Sequence, residues 1–277
     1  MKTTRPTLAA PWIFFVAAFA WTWLFWGIGI LTDANLETGE GFIYMPLGVI
    51  GPAVAGVVFV YLTRDRDGRR DYWKRIVDFR RIPGRWYLVI FLFVPALNLL
   101  AASIDFLAGG DGPALGETVR NALTDPGALL MSILFASVIP FFEEMGWRGY
   151  VLDRLQEKGT ALAASLILGV VWAVWHLPLF YIDGSYQAGL GVGTPTFWLF
   201  MFGIVPLSLV FTWIYNHTGR STLAVILFHA MVNFTGELIA LTERADAFSI
   251  LLWFAAAIGI TIVWGGRTLA RDEWVTA

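Results

Sequence analysis

Eight stretches of about twenty apolar residues, separated by short polar turns, leave this chain little choice but a bundle of helices crossing a bilayer. They lie near residues 11–31, 43–62, 86–106, 128–147, 161–181, 196–215, 222–241 and 247–265. Hydrocarbon offers no partner for backbone N–H and C=O groups, so spans of this length close their hydrogen bonds internally as α-helices. Composition agrees, since 57% of the 277 residues are hydrophobic, 14% are charged and the mean hydropathy is +0.66. The expected fold class is all-α, a polytopic membrane helical bundle of about eight transmembrane helices, forming one integral membrane domain over residues 1–277. The first stretch is read as a span rather than a cleaved leader, because no small-x-small site follows it before the polar loop Thr32–Gly41.

Charge placement sets an expected orientation. With a cytoplasmic N-terminus, Lys2, Arg5, the basic residues of segment 63–85, Arg148, Arg154, Lys158, Arg220, Arg267 and Arg271 all fall inside, leaving only Arg120 and Arg244 outside. Both termini are therefore expected to be cytoplasmic. Segment 63–85 intersperses Tyr72, Trp73, Ile76, Val77 and Phe79 among its Arg residues. It reads first as an ordinary positive-inside loop, and second as a helix lying in the headgroup region to meet lipid or substrate. Net charge is −2 with no dominant basic face, which argues against a nucleic-acid partner. The chain has no cysteine, so a disulfide framework, a thiol nucleophile and a thiolate metal site are excluded.

Polar residues inside apolar spans are costly, by roughly 2.5–3.5 kcal/mol for a carboxylate on insertion scales, and so mark function. Glu143 and Glu144 stand side by side near the end of the fourth span, in Phe-Phe-Glu-Glu-Met-Gly-Trp-Arg. Successive helical residues point about 100° apart, so the two acids are expected to have different jobs. Arg148 follows Glu144 by four residues, the spacing at which an acid pairs best with a following base on a helix. Glu144 and Arg148 are thus expected to form a supporting ion pair, leaving Glu143 as the reactive group. Pro140, Gly146 and Gly149 suggest a helix lining a cavity.

A turn at Lys158–Thr160 would make spans four and five an antiparallel hairpin, with Glu143 and His176 both about 24 Å from it at 1.5 Å rise per residue. The two side chains are expected to meet across the hairpin. On the seventh span His229 and Asn233, four apart, share a helix face that Glu237 continues. His217, in the polar turn Asn216–Gly219, is expected to be solvated. Each residue alone has an ordinary role, as packing histidine, core aromatic (Trp172 and Trp175 included) or interhelical amide. Two carboxylates, two histidines and an asparagine at matched depth on three spans form a set.

That set has a short chemical menu. A carboxylate beside an imidazole takes a proton from water, while an imidazole and an amide donate to a developing oxyanion. Glu143, His176 and His229 could instead hold a divalent metal such as zinc. Spending His229 on a metal would leave Asn233 alone at the oxyanion, so a metal-free water mechanism is preferred. A proton-coupled transporter is the other enzyme-free use of such groups, but the paired repeats common in transporters are absent.

Glu-Glu-x-x-x-Arg at 143–148, an aromatic-x-x-x-His at 172–176 and His-x-x-x-Asn at 229–233 resemble the three ordered motifs of the CPBP intramembrane proteases, the Abi or CAAX-protease family. The resemblance covers about 128–241, the expected protease-like core, with Trp172 standing where Phe is common. It implies a polytopic membrane endopeptidase whose site opens towards the cytoplasm or inner leaflet, with a peptide or lipidated-peptide substrate. It further implies that Glu143 and His176 activate water while His229 and Asn233 stabilise the oxyanion. The family also holds immunity proteins, so a non-catalytic membrane partner retaining the polar cluster is the alternative.

Overall fold

The first span folds as α1 (Pro11–Leu31), with a proline in its first turn, where the missing N–H would have no helical partner anyway. The second span is built from two pieces, α2 (Tyr44–Val49) and α3 (Gly51–Thr63). Pro52 has no N–H to offer Gly48, and α1 takes over: Thr22 Oγ1 donates to the Gly48 carbonyl at 2.8 Å and Trp21 Nε1 to that of Leu47 at 2.8 Å. Gly48 lets the helices approach this closely, since a Cβ there would lie 2.0 Å from Trp26 Nε1. The computed structural model describes residues 10–122 and 124–270. Lys2, Arg5 and Arg271 of the charge argument lie outside the described residues.

The remaining elements, in chain order, are α4 (Arg66–Val77), a 3-10 turn (Phe79–Arg81), α5 (Gly84–Leu107), a two-residue strand β1 (Ala114–Leu115) and α6 (Glu117–Arg120). Then come α7 (Pro126–Gly146), a π-helical turn (Trp147–Val151), α8 (Leu152–Gln156), α9 (Ala161–Trp175) and a 3-10 stretch (Leu177–Tyr181). The chain continues through α10 (Tyr186–Leu190), α11 (Pro195–His217), α12 (Thr222–Leu238), β2 (Ile239–Ala240) and α13 (Glu243–Trp264). Side-chain caps open most of the later helices: Asp65, Asp125, Thr160, Ser185, Thr194, Ser221 and Thr242 each accept from a first-turn N–H.

Among the described residues, seven helical stretches have the length and hydropathy of membrane spans, and the protein is an integral membrane protein. The seventh expected span is shorter than its apolar run: α12 has 17 residues, about 25 Å of helix, because Ile239 and Ala240 leave it to pair antiparallel with Leu115 and Ala114. The fourth is longer, running from Pro126 to Gln156 through the π turn. α11 packs against α9, α12 and α13, α12 sits between α7 and α5, and α3 closes on α7. The site residues therefore fall at the centre of the bundle.

Segment 63–85 is not a loop. It folds as α4, whose Gly68, Tyr72, Arg75 and Ile76 are buried against the bundle. Arg75 Nη1 donates to Asp153 Oδ2 at 2.8 Å, Tyr215 OH donates to Asp153 Oδ1 at 3.0 Å, and Arg220 pairs with the same carboxylate. The nearby Asp153 carboxylate holds the Arg220 guanidinium charged even more firmly than usual. One buried acid thus joins α4, α8, α11 and the turn into α12.

Candidate active site

The end of α7 carries the two acids, and its local sequence shapes them. Pro140 removes one helical hydrogen bond, and five residues from Trp147 then wind as a π turn, a wider coil that recurs at functional sites. The Met145 carbonyl accepts from the Tyr72 hydroxyl of α4 at 3.2 Å. Gly146 and Gly149 do not open a cavity as the sequence suggested. A Cβ on Gly146 would lie 2.3 Å from the Pro52 carbonyl oxygen, and one on Gly149 would lie 3.0 Å from Tyr72, so both glycines serve close packing.

Glu143, Glu144 and Arg148 are all buried. Arg148 Nη1 donates to both Glu144 oxygens at 3.0 Å, and its Nη2 donates to Ser208 Oγ at 3.3 Å. The guanidinium is sandwiched between the Trp172 ring, 4.9 Å away, and the Phe211 ring, 4.6 Å away. Glu144 has a second partner that spacing did not indicate: His229 Nδ1 lies 2.9 Å from Oε1. A carboxylate in an ion pair only accepts, so Nδ1 carries the hydrogen.

Glu143 and His176 are linked through Trp172, with no direct hydrogen bond between them. The Trp172 indole N–H donates to Glu143 Oε2 at 2.7 Å. His176 Nδ1 lies 2.7 Å from the Trp172 main-chain carbonyl, which can only accept, so this nitrogen too carries hydrogen and Nε2 of the neutral ring is bare. His176 sits at the C-cap of α9 because Pro178 disfavours a further α-helical residue before it, and the chain tightens into the 3-10 stretch. The Trp172 ring also meets that of His229 edge-on at 5.2 Å.

Other expected residues fall differently. Asn233, one turn beyond His229 on α12, is exposed, and its side chain has no hydrogen-bond partner among the described residues. Glu237 lies outside the cluster, also exposed, accepting from Thr118. His217 is not solvated: it is buried, its Nδ1 2.9 Å from the Trp213 carbonyl and its ring against Trp86 and Trp264. Three tryptophans, Trp86, Trp213 and Trp264, outcompete the polarity of the turn. Among the described residues, no three His, Asp or Glu side chains are arranged to hold a metal ion. Glu143, His176 and His229 as placed do not fit zinc.

Sequence reasoning missed Ser208 and Phe211, which carry no periodic signal on an apolar helix. It also left Trp172 as a packing aromatic, although a buried indole N–H usually finds an acceptor, and the span beside it carries two carboxylates.

A buried carboxylate–imidazole cluster thus lies at the centre of a polytopic helical bundle, which defines the class as an integral membrane protein with a polar interior site. A family model for type II CAAX prenyl endopeptidases, Rce1-like, matches residues 125–235, the stretch from α7 to α12 that holds every residue of the cluster. CAAX prenyl protease 2 of Methanococcus maripaludis is 28% identical over 255 residues, covering 90% of this chain and 92% of that protein. Lysostaphin resistance protein A of Staphylococcus haemolyticus is 23% identical over 236 residues, which cover 84% of this chain and 60% of that longer protein. The counterpart from Staphylococcus epidermidis is 23% identical, over 84% of this chain and 56% of its own length. These likenesses support the CPBP family, the CAAX-protease group, and indicate a membrane peptidase.

Proposed function

We propose that the protein hydrolyses a peptide bond near the cytoplasmic face of the membrane, using water activated by Glu143 and His176. The observation that carries this reading is the double anchoring by Trp172, whose indole N–H holds Glu143 and whose carbonyl holds His176. Glu143 keeps one carboxylate oxygen, and neutral His176 keeps a bare Nε2, to accept from water. Water attacks the peptide carbonyl carbon, its proton passes to Glu143, and Glu143 returns that proton to the amine nitrogen as the C–N bond breaks. His229 completes the site: the Glu144 carboxylate, 2.9 Å from its Nδ1, orients the ring beside the developing oxyanion. Asn233 supplies the second donor once substrate covers it.

The catalytic set is Glu143, His176, His229 and Asn233, supported by Glu144 and Arg148, within a core spanning about 128–241. The substrate is a peptide or lipidated peptide drawn from the bilayer. The charge distribution supports cytoplasmic termini and a site facing that side, with no nucleic-acid partner. Peptide cleavage by the purified protein in detergent tests the reading. Glu143→Gln keeps size and loses the base, and should abolish hydrolysis while the thermal transition stays near that of the wild type. Wild-type turnover by folded Glu143→Gln protein would sink the assignment.

A further inference from the structure

The peptidase reading leaves α4 unused, and its outer face is built unlike either a water-facing or a lipid-core-facing helix. At about 100° per residue, Arg66, Arg70, Trp73, Lys74 and Val77 fall within one arc of about 100°. All five are exposed, opposite the buried arc of Gly68, Tyr72, Arg75 and Ile76. Trp73 and Val77 lie within this arc at 37% and 67% exposure, and Phe79 follows at 61%. Arg80 stacks its guanidinium 5.7 Å from the Phe79 ring, and Arg85 is exposed just beyond.

Acids do not balance these cations. Asp65 is tied up as the α4 cap, Asp71 pairs with Arg75 and Arg81, and Asp78 caps the 3-10 turn. Only Asp67 remains, at the edge of the stripe. Rotation about the helix axis is locked from the buried side by Arg75 on Asp153, and on the exposed side Trp73 Nε1 donates to the Tyr61 hydroxyl at 3.4 Å. Depth is locked as well. α4 begins three residues after a span ends at Thr63, and the next span begins at Gly84, so the helix is held at the membrane boundary.

From this face we infer a docking surface for the anionic phospholipids of the bilayer the protein spans: Trp73, Val77 and Phe79 enter the acyl boundary while Arg66, Arg70, Lys74, Arg80 and Arg85 engage headgroup phosphates. The inference stands apart from the peptidase mechanism and does not depend on it.

Because the chain has no cysteine, a single Val77→Cys substitution accepts one spin label on the full-length protein. In nanodiscs containing phosphatidylglycerol with phosphatidylcholine, the label should be accessible to oxygen and shielded from a water-soluble nickel chelate. Replacing Arg66, Arg70 and Lys74 together with Gln should reduce phosphatidylglycerol retained in native mass spectrometry by about fivefold per cation removed, on the order of a hundredfold in all. A label open to the nickel chelate in both neutral and anionic bilayers would overturn the inference, as would unchanged lipid retention by the triple variant. Protection that arises only when an acidic peptide is added would overturn it in favour of peptide docking.

Discussion

Trp172 is the residue on which the two halves of the site depend. It holds Glu143 by its side chain and His176 by its backbone, and its ring faces both Arg148 and His229. Trp172→Phe removes the N–H and keeps an aromatic ring. A hydrogen bond to a charged group contributes about 1.5–3 kcal/mol, so kcat should fall about 10- to 100-fold with KM little changed. Steady-state kinetics check this, and an unchanged kcat would show that Glu143 is oriented without Trp172. Glu144 has both a structural and an electrostatic role, because Arg148 and His229 share its carboxylate. Glu144→Gln and Arg148→Ala each leave a charge buried without its partner, at a cost of about 3–5 kcal/mol. Both variants should melt well below wild type in a thermal-shift assay, and Glu144→Gln should also lose activity through His229. A Glu144→Gln protein as stable as wild type would remove the ion pair from the account.

At the scale of elements, the Asp153 network does for the helices what Trp172 does for the side chains. Asp153 receives Arg75 from α4, Tyr215 from α11 and Arg220 from the turn that launches α12, the helix carrying His229. Asp153→Asn keeps the shape but leaves Arg220 without its counter-charge and Arg75 with Asp71 alone. It should lower the melting temperature and, by loosening the α12 turn, reduce activity more than loss of folded protein explains. Activity per folded molecule equal to wild type would confine the network to stability. The sequence held few clues to this network. Arg75 and Arg220 read simply as positive-inside residues, because pairing over 78 and 67 positions has no local signature. The Glu144–Arg148 pair was legible for the opposite reason: four residues on one helix face each other whatever surrounds them.

For the whole molecule, the proposed orientation has a direct test. Single cysteines in place of Lys158, in the turn after α8, and Glu117, at the start of α6, should react with an impermeant maleimide from opposite sides of sealed vesicles. Labelling of both from one side would refute the topology.

Apolar stretches of bilayer length determined, by sequence alone, that the chain spans a membrane as helices, because hydrocarbon leaves an unpaired backbone no alternative. The cost of burying charge likewise marked Glu143, Glu144, His176 and His229 before any fold was known. Tertiary structure alone decided who meets whom. His229 reached Glu144, Trp172 came between Glu143 and His176, and His217 was drawn in among Trp86, Trp213 and Trp264. Those pairings follow from how each helix is rotated and bent. Rotation and bend are set by the Gly146–Pro52 contact, the π turn and the packing of α12 between α5 and α7, none of which a one-dimensional pattern contains.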